Sequence, residues 1–400
     1  MNAKGLFGLL ILTLLTTACV SEYNPVLPSD DTKVLFVDGS IIADTASTFH
    51  ITQSFSLNEN TVPDESFVNN ANLIIIGNNG YKSAPAINKG KGTYQIEVGN
   101  LDDDVEYGLQ IEYDGDTYQS ALSKPLYTPE IDTFYWVQLE PLAGVSFYLS
   151  THDDTDRAKF FLWNYTEDWE IAVYYPTSTF YDPETNEVTY IPSSNLYFYG
   201  WKKNEASVLG STESLHENKI IDQLLYYLEP EGDRFMTLYC VTVTQKTISQ
   251  GAYEYYQQVK KQNEEMGGLF TPQPSELDGN IKCVTNPSKK ALGYVEPLKN
   301  ISLKRMFVRA EVFPNPLIWS HEQRWQYEQY CEDHAYDNDY LQALGFSYRS
   351  LYYHSLKYRP TGAIFEPYLA PGSWAPAICT DCREYGATKN RPDFWPNDHY

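Results

Sequence analysis

The chain has 400 residues, 42% of them hydrophobic, and a formal charge of −24. Length and apolar content suffice for two or three packed domains and exclude a disordered surface tail. A negative field of this size repels phosphate backbones and anionic headgroups, which excludes nucleic acid as a bulk partner.

Residues 1–18 have the build of a secretory signal peptide. Lys4 supplies a positive start, residues 6–15 are apolar but too few to span a bilayer, and Thr16-Thr17-Ala18 form a small-residue cleavage site. Cys19 follows directly. This arrangement resembles the lipobox of bacterial lipoproteins, with Thr16 standing where Leu is usual. The resemblance implies cleavage before Cys19, acyl chains on its sulfur and new amino terminus, and a membrane tether; the alternative is a plain secreted protein with an incidental Cys19. Two or more acyl chains anchor stably where one holds only marginally. Residues 19–32, with Pro25, Pro28 and Asp30-Asp31, read as the lipidated linker that keeps the folded part off the membrane.

Residues 33–127 carry period-two patterns. Val34-Leu35-Phe36-Val37 ends at Asp38-Gly39, residues 49–55 alternate, Leu73-Ile74-Ile75-Ile76 is a buried run, and residues 94–98 alternate again. Residues 107–113 and 117–122 flank Asp114-Gly115, a pair suited to a tight hairpin. Short strands at this spacing predict an antiparallel sandwich of immunoglobulin type, ended by Pro125 and Pro129.

Residues 128–400 form a larger, aromatic-rich β domain. The chain holds 34 Tyr, a residue that suits strand faces with one apolar and one wet side; Tyr-rich surfaces also stack sugars and peptides. Strand candidates are residues 134–137, 145–149, 160–163, 169–175, 197–199 and 235–241. A helix near 250–266 starts at the N-cap Ser249, runs an apolar stripe through Ala252, Tyr255, Tyr256, Val259 and Met266, and stops at Gly267-Gly268. Ser320-His321-Glu322-Gln323 resembles a capping box opening a second helix through Cys331. The last ninety or so residues, rich in Pro, Tyr and Gly, read as irregular structure laid on this domain.

Beyond Cys19 the cysteines are Cys240, Cys283, Cys331, Cys379 and Cys382, all disulfide candidates in an exported protein. Cys331 paired with Cys379 or Cys382 would pin the tail. Cys379-x-x-Cys382 also admits a redox pair or, with Cys331 and His334, a zinc site; structural bridges are favoured, because no βαβ context surrounds the motif. Asp102-Asp103-Asp104, Asp153-Asp154-x-Asp156 and Asp337-Asn338-Asp339 lack calcium-loop spacing and read as solvated turns. No nucleophile elbow, metalloprotease helix, phosphate loop or dinucleotide fingerprint occurs, so no catalytic residue, metal ligand or cofactor is assigned.

Three stretches carry a wider resemblance: Thr151-His152-Asp153-Asp154 with Phe161-Leu162-Trp163-Asn164-Tyr165-Thr166-Glu167-Asp168-Trp169-Glu170; the run 268–281 with Ala291-Leu292-Gly293-Tyr294; and Cys379-Thr380-Asp381-Cys382-Arg383 with Arg391-Pro392-Asp393-Phe394-Trp395. Together they resemble an uncharacterised domain-of-unknown-function family of outer-membrane lipoproteins in Gram-negative bacteria, often encoded beside a TonB-dependent receptor. Relatives tend to have Asp-Pro at Thr271-Pro272 and often a Cys before the Trp that Trp201 resembles, where this chain has Gly200. The resemblance implies an outer-membrane lipoprotein, on the cell surface or the periplasmic face, that binds a small ligand such as a glycan or peptide beside a TonB-dependent receptor. It supplies no catalytic residue to carry over, and with no catalytic signature in the sequence the protein reads as a non-enzyme. A glycan- or peptide-degrading enzyme and an adhesive scaffold are the alternatives.

Overall fold

The computed structural model describes residues 33–55, 63–140, 143–175, 177, 179–190, 197–230, 232–265, 278–309, 324–361 and 373–396. Eight strands precede Pro125: β1 (Leu35–Gly39), β2 (Ile41–Ile42), β3 (Thr45–Gln53), β4 (Asn72–Gly77), β5 (Ile87–Gly90), β6 (Thr93–Val98), β7 (Tyr107–Tyr113) and β8 (Asp116–Ser120). Then come β9 (Ile131–Val137), β10 (Val145–His152), β11 (Phe160–Ala172), β12 (Thr179–Asp182), β13 (Glu187–Tyr190), β14 (Tyr199–Ser211), β15 (Lys219–Leu228) and β16 (Leu238–Ile248). Helix α1 (Gln250–Glu265) is followed by β17 (Ile281–Cys283), β18 (Ala291–Leu292), β19 (Pro297–Leu298) and β20 (Ser302–Arg309). The tail adds α2 (Arg324–Asp333), β21 (Tyr336–Asp337), α3 (Asn338–Ala343), α4 (Tyr348–Tyr352), β22 (Arg359–Thr361) and β23 (Ser373–Ala375).

The chain is mainly β, and its first unit is the expected sandwich. Strands β1-β3-β6-β5 form one sheet and β8-β7-β4 the other, the strand order of a constant-type immunoglobulin domain. Alternation puts Leu35, Val37, Phe49, Ile51, Leu73, Ile75, Tyr94 and Ile111 into one core, each at most 3% exposed. Asp114 and Gly115 both take positive φ, 52° and 78°, which a two-residue hairpin of matching twist requires. Tyr107 opens β7, and its hydroxyl accepts the Asp102 N–H at 2.9 Å, a tyrosine corner. Tyr107→Phe is expected to cost about 1 kcal/mol in urea denaturation, the worth of one buried hydrogen bond.

The sandwich is not confined to residues 33–127. Strand β17 pairs with β8, β18 with β1 and β19 with β2, so residues 281–298 return to it from beyond the second unit. Asn280 steers the return: its amide accepts from Val295 N–H at 2.9 Å and donates to Val295 C=O at 2.8 Å. The first half of that motif lies outside the described residues, as do the signal, the linker and Ser320–Gln323.

The second unit is also a sandwich, with sheet β15-β10-β9 facing sheet β14-β11-β16-β20. The two separate strands expected in 160–175 are one strand of 13 residues, because Thr166, Glu167 and Asp168 continue the ladder. Its inward residues Phe161, Trp163, Trp169 and Ile171 meet Phe147, Tyr239 and Val241. One acid sits in this core. Glu167, 2% exposed, accepts from Arg234 Nε at 2.8 Å, the Tyr239 hydroxyl at 2.9 Å and Asn204 Nδ2 at 2.5 Å. The expected helix is present as α1, with Ser249 Oγ capping the Ala252 N–H at 3.1 Å as expected, and it lies on β11 with Ala252 packed on Leu162 and Ile248.

The tail is more ordered than its composition suggests. The hairpin β12-β13 and sheet β21-β23-β22 surround Trp374, Tyr181, Leu341 and Leu351, and a Cys331–Cys379 disulfide ties α2 to the segment after β23.

Candidate functional site

Residues of β11 alternate between the core and the outer face of their sheet, so Glu167 points in and Asp168 points out. Asp168 lies opposite Lys203 on β14 and Cys240 on β16, and Cys240 lies opposite Phe307 on β20. Helix α1 covers one end of this outer face at Leu162, and the segment after Gly386 covers the other. Thr388 pairs with Trp201, donating to its C=O at 2.9 Å and accepting its N–H at 2.8 Å, so the segment after Gly386 extends the sheet past β14. It then turns across the face and drops Trp395 onto Cys240 and Leu238. Between sheet and crossing segment is a cleft of about 760 Å³.

The floor of this cleft holds Thr166, Asp168, Lys203, Thr242 and Arg305, and the wall holds Asn390, Arg391 and Phe394. Arg305 is fixed in place: its Nε donates to Thr242 Oγ1 at 2.9 Å, and its guanidinium stacks 3.7 Å from the centroid of Phe394. Arg391 is fixed too, donating to the Trp395 C=O at 3.1 Å. Lys203 pairs with Glu205. Basic groups thus gather at one cleft of a strongly acidic protein.

Two acids join them, Asp393 on the crossing segment and Asp168 on the floor, and Asp168 is the buried one. It is 6% exposed, and its opposite charges, Lys203 and Arg305, act on it through space. Burial pushes its carboxyl above the usual aspartate value, and the through-space pull of Lys203 and Arg305 offsets only part of that. The protonated form therefore stabilises the fold below the unfolded value near 3.8, and this contribution disappears as pH rises through the higher folded value. Asp168→Asn is accordingly expected to stabilise the protein by about 1 kcal/mol at neutral pH and to change nothing once both forms are neutral. Denaturation at neutral and at acid pH measures it.

The cysteines separate into three environments. Cys331 and Cys379 form the expected bridge, with Cα atoms 5.8 Å apart. The disulfide candidates Cys240, Cys283 and Cys382 are instead buried free thiols. Cys240 lies under Trp395, Cys283 in the first sandwich and Cys382 in the core of the second, so no two of them meet. Burial raises the Cys240 thiol to about 12 and the Cys382 thiol to about 11; neither is a poised nucleophile. A redox pair or zinc site at Cys379-x-x-Cys382 is thereby overturned, since Cys379 is already bonded and His334 stacks on Tyr330 at 4.3 Å. Among the described residues no group of three His, Cys, Asp or Glu is placed to hold a metal ion. Cys19 lies outside the described residues.

Gly200 explains the lone Cys382. A Cβ built on Gly200 falls 2.6 Å from Cys382 Sγ, so a side chain at position 200 would face this thiol directly. Gly200→Cys is expected to oxidise to a 200–382 bridge, seen as a linked peptide pair in non-reducing mass mapping, whereas Gly200→Ala has only the clash and is expected to cost about 1–3 kcal/mol.

Two of the three acidic clusters are turns with internal partners, and the third, residues 337–339, is the junction of β21 and α3. Asp153 accepts from the N–H groups of Thr155, Arg157 and Ala158 at 2.7–2.9 Å, and Asp103 pairs with Lys299 at 2.6 Å. The cleft itself escaped sequence reasoning, because an acid inside a strand reads as an interruption. The available signal was the pair Glu167-Asp168 between Trp163 and Trp169, two consecutive acids in a run otherwise fit for a buried sheet.

A search among curated proteins finds no match. The family described as a domain of unknown function, DUF4249, matches residues 20–299, which takes in the cleft floor on β11, β14 and β16 but not β20 or the crossing segment. The chain belongs to this family.

Proposed function

We propose that the protein is an outer-membrane lipoprotein, tethered through acylated Cys19, that binds a small ligand in the cleft and presents it to a TonB-dependent receptor. The observation that carries this reading is Asp168, an acid 6% exposed at the base of a preformed cleft. Burying a carboxyl there costs stability, and such costs concentrate at functional sites. The body adds no attraction to anionic headgroups, so the tether falls to lipid. Among the described residues no helix is long and apolar enough to cross a membrane. Binding, not turnover, is the proposed activity.

Affinity purification of the tagged chain from detergent-solubilised membranes tests the partnership. Recovery of a β-barrel receptor is the expected result, and its consistent absence would remove the receptor from the account.

A further inference from the structure

We infer that the cleft takes a saccharide, with sugar hydroxyls donating to the Asp168 carboxylate and accepting from Lys203 and Arg305. The inference rests on the cleft being a ligand site. Three features select the ligand class.

The first is the character of the floor. Asp168 can only accept, Lys203 and Arg305 can only donate, and Thr166 and Thr242 do both. A ligand matching all of them at close spacing needs groups that donate and accept alike, and hydroxyls on a ring do so. A simple anion satisfies the cations but meets Asp168 as a like charge.

The second is backbone geometry. An extended peptide gains affinity by pairing with an exposed sheet edge, but the cleft lies over the face of the sheet. At Trp201 the neighbouring edge is already paired with Thr388. The third is the pair of aromatic side chains, Trp201 and Phe394, that flank the polar floor. One face of Phe394 is taken by the Arg305 guanidinium, so these side chains offer an apolar border that the C–H groups of a sugar would meet.

Calorimetric titration of the full-length protein in detergent, against a panel of neutral and uronic-acid oligosaccharides, tests this. Saturable binding by a member of the panel is expected, with roughly tenfold or greater loss in Asp168→Asn, since a hydrogen bond to a charged group is removed. Because that variant is expected to be more stable than the parent, its loss of binding reads the site and not the fold. A second variant, Thr242→Val, frees Arg305 from its anchor and is expected to weaken binding several-fold. Three results would overturn the inference: no binding across the panel, binding indifferent to Asp168→Asn, or binding of citrate in place of any sugar. None of them touches the receptor partnership, which purification reads separately. Release of shortened sugars during titration would replace binding by hydrolysis.

Discussion

Glu167→Ala is expected to destabilise the protein by about 3 kcal/mol, the lower end of the cost of breaking an ion pair whose carboxylate is buried and whose guanidinium is partly exposed. The carboxylate is 2% exposed and collects hydrogen bonds from Arg234, Tyr239 and Asn204. Removing it leaves the guanidinium of Arg234 against Trp169, 4.8 Å from the ring, with its countercharge gone. Arg234 keeps 34% of its side chain in solvent, so the lost hydrogen bonds contribute alongside the unpaired charge. Replacing both partners by apolar residues of similar volume, Glu167→Met with Arg234→Met, is therefore expected to recover most of the loss. Urea denaturation of the two single variants and the double variant measures the coupling.

Loss of the Cys331–Cys379 bridge comes next. It closes a separation of 48 residues, worth about 4 kcal/mol by loop-closure entropy. The effect is expected to be local. Cysteine-to-alanine replacement at both positions frees the cluster around Trp374 and leaves the two sandwiches folded. Hydrogen exchange is expected to show lost protection over α2–α4 and β21–β23, with unchanged protection in β3, β6, β11 and β16. The segment that walls the cleft begins only a few residues after Cys379, so reduction is also expected to weaken ligand binding. A purely distal role for the tail predicts no change in affinity.

Much of the first unit was legible because it obeys local rules. Asp114-Gly115 carries its turn type in its chemistry, and the alternation of residues 94–98 assigns inside and outside without help from the rest of the chain. Ser249 marked its helix for the same reason, since capping is a contact within one turn. The return of residues 281–298 to this sandwich was not legible, because short strands such as Ala291–Leu292 have no period to detect and depend on a partner 250 or more residues away. Strand β14 was missed beyond its first residue, Tyr199, for another reason. Lys202, Lys203, Asn204 and Glu205 face solvent, Asp233 and Glu167 rather than an apolar layer, so polar partners replace the hydrophobic pattern. The cleft depends on both kinds of hidden contact: a polar face of a sheet, and a chain end that crosses it far from its floor in sequence.

The cysteines divide along the same line. One bridge between Cys331 and the Cys379-x-x-Cys382 motif was expected, and the partner is Cys379. Which thiols stay single was set by burial in three separate cores. That information exists only once the sheets are packed.

The central claim is that a lipid tether holds a ligand-binding body at the outer envelope. Mass spectrometry of the amino-terminal peptide, taken from protein isolated from native membranes, tests it most directly. The account requires a peptide beginning at Cys19 and carrying acyl chains on its sulfur and amino group. A lipid-free Cys19 in the mature protein would contradict it.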